Sequence, residues 1–290
     1  MTLERLWSFV LAVLSSAAPL VLAAMGGLAT EAAGSLSIAL EGYMLVGAFA
    51  AAACGQATGS LGLGMAAGTF AGMLLAYLVA SAHRHLRADA FVAGLAANIL
   101  APGIVSVISQ AAYGTKGVLA ADSIRSSPLG ILALLAGSSL VLALLLSRSV
   151  FGLRLRASGE GDEVAKAAGI AGESYRFADH LIAGASSGLA GASLAAGIGA
   201  YVPGMSTGRG WIALVAVFLG ARRPGGVAMA CLLFGLLFAL SNLAQAIAAP
   251  GLASSMAANA GELLQALPYI ATALALIAWK SVEHRRKARS

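Results

Sequence analysis

Charge is scarce in this sequence. Acidic and basic residues make up 10% of its 290 positions, less than half of the roughly 25% carried by soluble chains, which argues against a soluble globular domain. Cysteine is nearly absent. Cys54 and Cys231 each lie in an apolar run, without metal spacing or a disulfide framework, so both read as small buried hydrophobes. The four histidines, His83, His85, His180 and His284, fall at loops or at the ends of apolar runs, and no spacing among them suits a metal. No nucleophile–base pair stands out, and no glycine loop followed by Lys and Ser/Thr offers a phosphate cradle. Aromatic residues are few, at 6%. The basic residues behind the net charge of +6 are spread over short loops with no aromatic platform and no folded basic domain, which argues against a nucleic-acid partner.

What the chain does have is apolar length. Hydrophobic residues make up 59% of it, with 36 glycines, and mean hydropathy is strongly positive at +0.88. A bilayer core needs about 20 apolar residues per helix. Candidate spans are 7–28, 36–56, 60–80, 90–112, 129–147, 177–197, 209–221, 226–248 and 262–279. Residues 6–18 resemble the core of a signal peptide, but "MTLER" ahead of them has no net positive charge and the apolar run continues past Pro19 to Leu28; they read as a first span. The segment 209–221 is too short to cross alone, and Pro and Gly in "GIGAYVPGMSTGRG" before it predict an unwound or re-entrant stretch at 198–208. The sequence therefore predicts an all-α, polytopic membrane helix bundle of about nine spans with broken or re-entrant helices, forming a single transmembrane domain over 1–290.

Most of the Lys and Arg fall in four places: Arg84 and Arg87; the loop 148–176 with Arg148, Arg154, Arg156, Lys166 and Arg176; Arg222 and Arg223; and the tail 280–290. All four lie on one side if each span crosses once, and the positive-inside rule makes that side, and the C-terminus, cytoplasmic. Parity then puts the N-terminus outside.

Polar residues inside spans are costly, on the order of 2.5–3.5 kcal/mol for a central charge. Glu41, in "SLSIALEGYMLVGAF", has no basic residue near it in sequence, and Gly42 after it could interrupt the helix. Ser37, Glu41, Asn98, Ser106 and Asn242 are candidate lining for a solute pathway, with Gln110, Ser186, Ser187 and Gln245 as further polar positions. Amide side chains both donate and accept, which suits a neutral ligand rich in hydroxyl and ring-nitrogen groups. A structural carboxyl at Glu41 and interhelical hydrogen bonds at the amides are the alternatives. Arg209 could pair with Glu41 or face lipid headgroups. Gly64, Gly68 and Gly72, and Gly184 and Gly188, recur at i+4, a spacing that lets helix backbones approach closely, either as static packing or as a moving seam.

One stretch breaks the apolar pattern: "FGLRLRASGEGDEVAKAAGI", residues 151–170. "DEVAKAAG" predicts a short helix with Asp162 as N-cap, Glu163 at the positive helix end and Gly169 as its stop. Such a helix between two spans is either a solvated connection or a docking element for another protein.

This stretch, together with "GSLSIALEGYMLVGAF" and "VPGMSTGRGWIALVAVFLGARRPGG" in the same order, resembles the permease subunits of bacterial ABC importers for branched-chain amino acids, simple sugars and nucleosides. The resemblance runs from about residue 15 to 279. The middle stretch is similar to the family's cytoplasmic coupling segment, matching it at Arg156, Ala157, Gly159, Glu160, Ala167, Ala168, Gly169 and Ile170; it departs at Gly161-Asp162, where Asn-Pro is more usual. "GRGWIAL" is most similar to the nucleoside branch. The resemblance implies a bacterial inner-membrane permease without enzymatic activity of its own. An ABC ATPase subunit that binds ATP-Mg would grip a coupling surface around Arg156, Gly159, Glu160, Asp162, Glu163, Ala167, Ala168 and Gly169. A second, related permease subunit and an extracytoplasmic solute-binding protein would complete the importer, which would carry a purine nucleoside or similar ribosyl compound; riboflavin or a simple sugar is the alternative. A stand-alone channel or ion-coupled carrier would explain the polar span residues but not the loop 151–170. An intramembrane enzyme explains least.

Overall fold

The computed structural model describes residues 3–248; the candidate span 262–279 and the tail 280–290 lie outside them. The described chain is helical, apart from one two-strand pairing and a 3-10 turn. Its elements are α1 (Leu3–Ala32), α2 (Leu40–Thr58), α3 (Leu61–Leu86), α4 (Ala90–Tyr113), β1 (Leu119–Ala120), α5 (Pro128–Arg148), α6 (Val150–Gly159), α7 (Asp162–Ala167), α8 (Gly172–Ile198), β2 (Ala200–Tyr201), α9 (Arg209–Leu219) and α10 (Pro224–Ala248). Six of the helices, α1, α3, α4, α5, α8 and α10, are long and apolar enough to cross a membrane. The protein is an all-α, multi-pass membrane protein.

The ends of the helices are set by local chemistry. Ser60, Asp89 and Ser127 cap α3, α4 and α5, each side chain accepting from the backbone N–H three residues on, as N-caps do. Gly59, Gly114 and Gly199 follow α2, α4 and α8 in left-handed backbone, where a Cβ would be strained.

The centre of the bundle is the trio α2, α3 and α8. Its helices meet at glycine. A Cβ on Gly47 would overlap the backbone of Gly188, one on Gly72 would overlap the carbonyl of Gly184, and one on Gly191 would overlap the carbonyl of Met44. The i+4 glycines of α3 and α8 therefore make one continuous backbone-to-backbone seam. Gly188→Leu has no room along it. Overpacking costs about 1–3 kcal/mol even where side chains alone must yield, so this variant is expected to lose most of its monodisperse, detergent-extracted protein; size-exclusion profiles after brief heating measure it.

The turns gather at two opposite ends. At one, Glu31 pairs with Arg222 at 2.7 Å, the backbone of Gly34 meets that of Gly159, and His83, Arg176 and Ser35 line one depression. At the other, β1 pairs antiparallel with β2 through Leu119–Tyr201 and Ala120–Ala200, and Ser123 donates to the carbonyl of Gly55 at 2.7 Å. Arg84, Arg87, the basic residues of 148–176, Arg222 and Arg223 all belong to the first end; Lys116 and Arg125 belong to the second.

Two sequence expectations need correction. Gly42 does not interrupt α2: it lies in the helix's first turn, and the irregular backbone precedes it at residues 35–38. Asp162 is not the N-cap of α7. Gly161, at φ 126°, holds that position, because the Asp162 carboxylate turns away to Arg176 Nη2 at 2.6 Å. Gly169 does stop the helix, at φ +70°.

Candidate translocation site

The irregular segment before α2 is where the span breaks. Residues 35–38, in irregular backbone, carry the chain inward from the basic end to the turn at Ala39, where α2 begins. Their buried polar groups are met by side chains. Thr30 Oγ1 accepts from the Ser37 N–H at 3.1 Å, Ser35 Oγ donates to Asp179 Oδ2 at 2.8 Å, and Asn98 on α4 bridges the break itself. Asn98 Nδ2 donates to the carbonyl of Ile38 at 2.9 Å, and its Oδ1 accepts from the N–H of Gly42 at 2.8 Å. One amide thus satisfies the last carbonyl of the irregular segment and an otherwise free donor of the first helical turn. Gly42 permits the approach, since a Cβ there would press on Asn98 Oδ1 at 3.1 Å and on the Ala97 carbonyl.

A second helix start converges on the same place. α9 is only 11 residues long, about 16 Å at 1.5 Å per residue, roughly half a bilayer core. It is reached through β2 and the turns of 202–208. Gly210 in its first turn touches α2 so closely that a Cβ would lie 2.6 Å from Glu41 Cβ and overlap the Glu41 backbone. The N–H of Gly208, the N-cap of α9, faces the Glu41 carboxyl. Glu41 Oε2 is buried with no hydrogen-bond partner.

Between these two helix starts and α4 lies a cavity of about 220 Å³. Its lining includes Glu41 and Asn98, the stripe Pro102, Ser106 and Ser109 of α4, the buried Tyr201 and Ser206, and, exposed toward the less basic end, Lys116, Pro203, Gly204 and Thr207. Pro102 has no N–H for the Asn98 carbonyl four residues before it, so α4 lacks that intrahelical bond beside the cavity. Polar side chains, broken backbone and two helix N-termini share this volume, an arrangement that bilayer-embedded chains tolerate only where it lines a cavity or protein.

The loop 148–176 is folded against the opposite, basic end. Arg156 Nη1 donates to the carbonyl of Leu146 at 2.6 Å. Gly159 lies against the carbonyl of Ala32 with no space for a Cβ. Arg176 ties the loop together, donating to the Ser158 carbonyl at 2.9 Å and pairing with Asp162. α7 rests on Ala165, which is 1% exposed, while Glu163, Val164, Lys166, Ala167, Ala168 and Gly169 face outward, as does Glu160 just before the helix.

Residues 9–276 match the family described as "Branched-chain amino acid transport system / permease component". The chain belongs to that family. The permease is 30% identical to the nucleoside ABC transporter permease protein NupC of Lactococcus lactis subsp. cremoris, over 89% of this chain and 87% of the relative. It is 33% identical to the guanosine ABC transporter permease protein NupQ of Bacillus subtilis, over 79% and 80%. It is 32% identical to a putative glucose ABC transporter permease protein, TsgC13, of Haloferax volcanii, over 81% and 77%. No solved structure matches it.

Of the pathway residues expected from sequence, the structure brings Glu41, Asn98 and Ser106 together around the cavity. It does not bring Ser37 or Asn242 there. Ser37 is fully buried behind the break, its hydroxyl 3.4 Å from Tyr43 Oη, and Asn242 is exposed on α10. Arg209 lies with its guanidinium 5.5 Å from the Phe238 ring centre. Lys116, Tyr201, Ser206, Thr207 and Ser109 were not foreseen as lining. Ser109 had a signal: 98, 102, 105, 106 and 109 follow one helical face. Lys116 and Tyr201 had none, because β1–β2 pairing places them. Asn98→Ala removes both bonds across the break, each worth about 1 kcal/mol with a further penalty for the buried groups left unpaired. It is expected to lower uptake several-fold more than it lowers membrane abundance, measured by immunoblot alongside labelled-solute uptake.

Proposed function

We propose that this permease subunit forms half of the solute pathway of an ATP-driven nucleoside importer, with the cavity at Glu41 and Asn98 as its share of the binding site. The observation that carries this reading is Glu41 Oε2, a buried acceptor without a partner, at the meeting point of two helix starts. Buried polar atoms are normally hydrogen-bonded, and a solute bearing hydroxyl or ring N–H groups would supply the missing donor. Asn98, Ser106 and Lys116 offer further donors and acceptors of the kind such a solute needs. At about 220 Å³ the cavity falls below the range of about 300–1,000 Å³ for pockets that enclose drug-sized molecules; a second, related permease subunit would complete it.

In this reading each described helix from α1 to α5, and α8 to α10, crosses once, α9 with its preceding turns. The span 262–279 makes the ninth crossing. The basic end, with the C-terminus, faces the cytoplasm of a bacterial inner membrane. An extracytoplasmic binding protein delivers solute to the mouth at Lys116 and Thr207. A partner ATPase, holding ATP-Mg, grips the outward surface of α7, where Ala167, Ala168 and Gly169 leave room for a groove and Glu160 and Glu163 supply charge at its rim. Arg156, Gly159 and Asp162 hold that surface in place through the contacts described above.

The nucleoside assignment draws on the relatives named for nucleoside and guanosine transport; the relative named for glucose supports a simple sugar as the second reading. Uptake of labelled guanosine, adenosine, glucose and riboflavin, in cells carrying the complete transporter with and without this chain, tests both. Chain-dependent uptake of a purine nucleoside is expected. Chain-dependent uptake of glucose alone would replace the first reading with the second.

A further inference from the structure

A second pocket of about 270 Å³ opens at the basic end between α3 and α8. It shares no lining residue with the solute cavity. Arg84 and Arg87 of the last turn of α3, and Arg176 near the start of α8, face it, together with His83 and His180; Glu173 is its one acidic lining residue. The charges are unevenly committed. Arg176 is held by Asp162 and two carbonyls, and His83 Nδ1 lies 2.8 Å from the Ala88 carbonyl. Arg84 and Arg87 are exposed and form no ion pair among the described residues. Asp89, the nearest acid in sequence, is occupied in capping α4. His180 is 1% exposed, and both of its ring nitrogens are buried without a hydrogen-bond partner. A buried imidazole with an unmet N–H, beneath two guanidiniums that form no ion pair, is a site short of a negatively charged acceptor.

The surroundings say which anion. The Arg84 guanidinium sits 5.7 Å from the Phe177 ring centre, and Phe177 packs edge-on against Tyr77 at 5.6 Å. Phe70, Tyr77 and Arg84 recur every seven residues, so they share one face of α3. Phe70 and Tyr77 are about half exposed, as is Leu74 between them. An exposed apolar strip therefore runs from the pocket along the membrane-crossing length of α3. A soluble anion would use the pocket alone, whereas a phospholipid would lay its headgroup in the pocket and a chain along the strip. We propose that this pocket binds a phosphate group, that of an acidic phospholipid in the leaflet at the basic end, through Arg84, Arg87 and His180. Basic pockets between membrane helices on the cytoplasmic side suit such headgroups. Naming that leaflet the inner one rests on the orientation proposed above; the binding itself does not.

Native mass spectrometry of the purified transporter, titrated with phosphatidylglycerol or with phosphatidylcholine of the same chain length, tests this in detergent, where orientation and transport have no influence. Phosphatidylglycerol is expected to bind about tenfold or more tightly than phosphatidylcholine. R84Q and R87Q are each expected to weaken it about fivefold, the worth of one basic residue near an anionic membrane surface, and together to erase the preference. His180→Phe should weaken both lipids, since each phosphate would lose the imidazole N–H, and leave the preference set by the arginines in place. Equal binding of the two lipids by the wild-type protein would overturn the proposal without any variant having to fold. Displacement of phosphatidylglycerol by millimolar inorganic phosphate or glycerol phosphate would overturn the lipid assignment. Loss of the ATPase subunit from R84Q/R87Q, with lipid preference intact, would make the pocket a protein contact instead.

Discussion

Ala168→Arg is expected to abolish ATP-driven uptake while leaving the permease in the membrane at its normal level. Ala168 follows the last turn of α7 and is exposed, and its backbone N–H is bonded to the Val164 carbonyl, a bond that a change of side chain leaves in place. In a groove of a docked ATPase the longer side chain would meet a wall. An unpaired charge forced into a protein interface costs about 3 kcal/mol or more, enough for a loss of roughly a hundredfold in docking. Co-purification of the ATPase with a tagged permease, and uptake in the same cells, measure the two halves of the claim. Ala168→Ser adds one atom and should behave as wild type. Normal uptake by the arginine variant would place the ATPase contact elsewhere.

The second large effect is expected at Glu41. Glu41→Gln keeps the side chain's volume and leaves one oxygen to accept from the Gly208 N–H, so the junction of α2 and α9 should survive. What changes is Oε2, the buried atom without a partner, which becomes either an amide nitrogen or an uncharged oxygen. A hydrogen bond to a charged group contributes about 1.5–3 kcal/mol, which corresponds to about a 10- to 150-fold loss of uptake at low solute concentration, with membrane abundance unchanged. A rise in the half-saturating concentration, rather than a fall in maximal rate alone, would mark the loss as one of recognition. Wild-type kinetics in this variant would remove Glu41 from the solute site.

Six of the expected spans were legible because bilayer thickness and apolar run length are the same physical quantity seen twice, and α3, α4 and α5 begin within two residues of the expected positions. The break before α2 was legible only indirectly. Glu41 was visible as a misplaced charge, but the sequence suggested that Gly42 caused the interruption; the partner that makes it affordable is Asn98, 56 residues away, and no local pattern reports a bond of that range. The same limit applies to Asp162. Its type and position fit an N-cap, and only the tertiary approach of Arg176 diverts it. Ser37, in the irregular segment, and Asn242, on α10, share polarity with Asn98 but not its place beside the cavity, which packing between elements decides.

The glycine contacts of α2, α3 and α8 carry a consequence for how such a machine changes shape. Peptide planes at Gly47, Gly72 and Gly188 already touch their neighbours across the interface, so those three rods have no slack with which to slide past one another. They behave as a keel. Sliding within the keel would drive backbone into backbone, whereas α4 meets α2 through the Asn98 amide bridge. That bridge of two side-chain hydrogen bonds can part and re-form without unwinding a turn of helix.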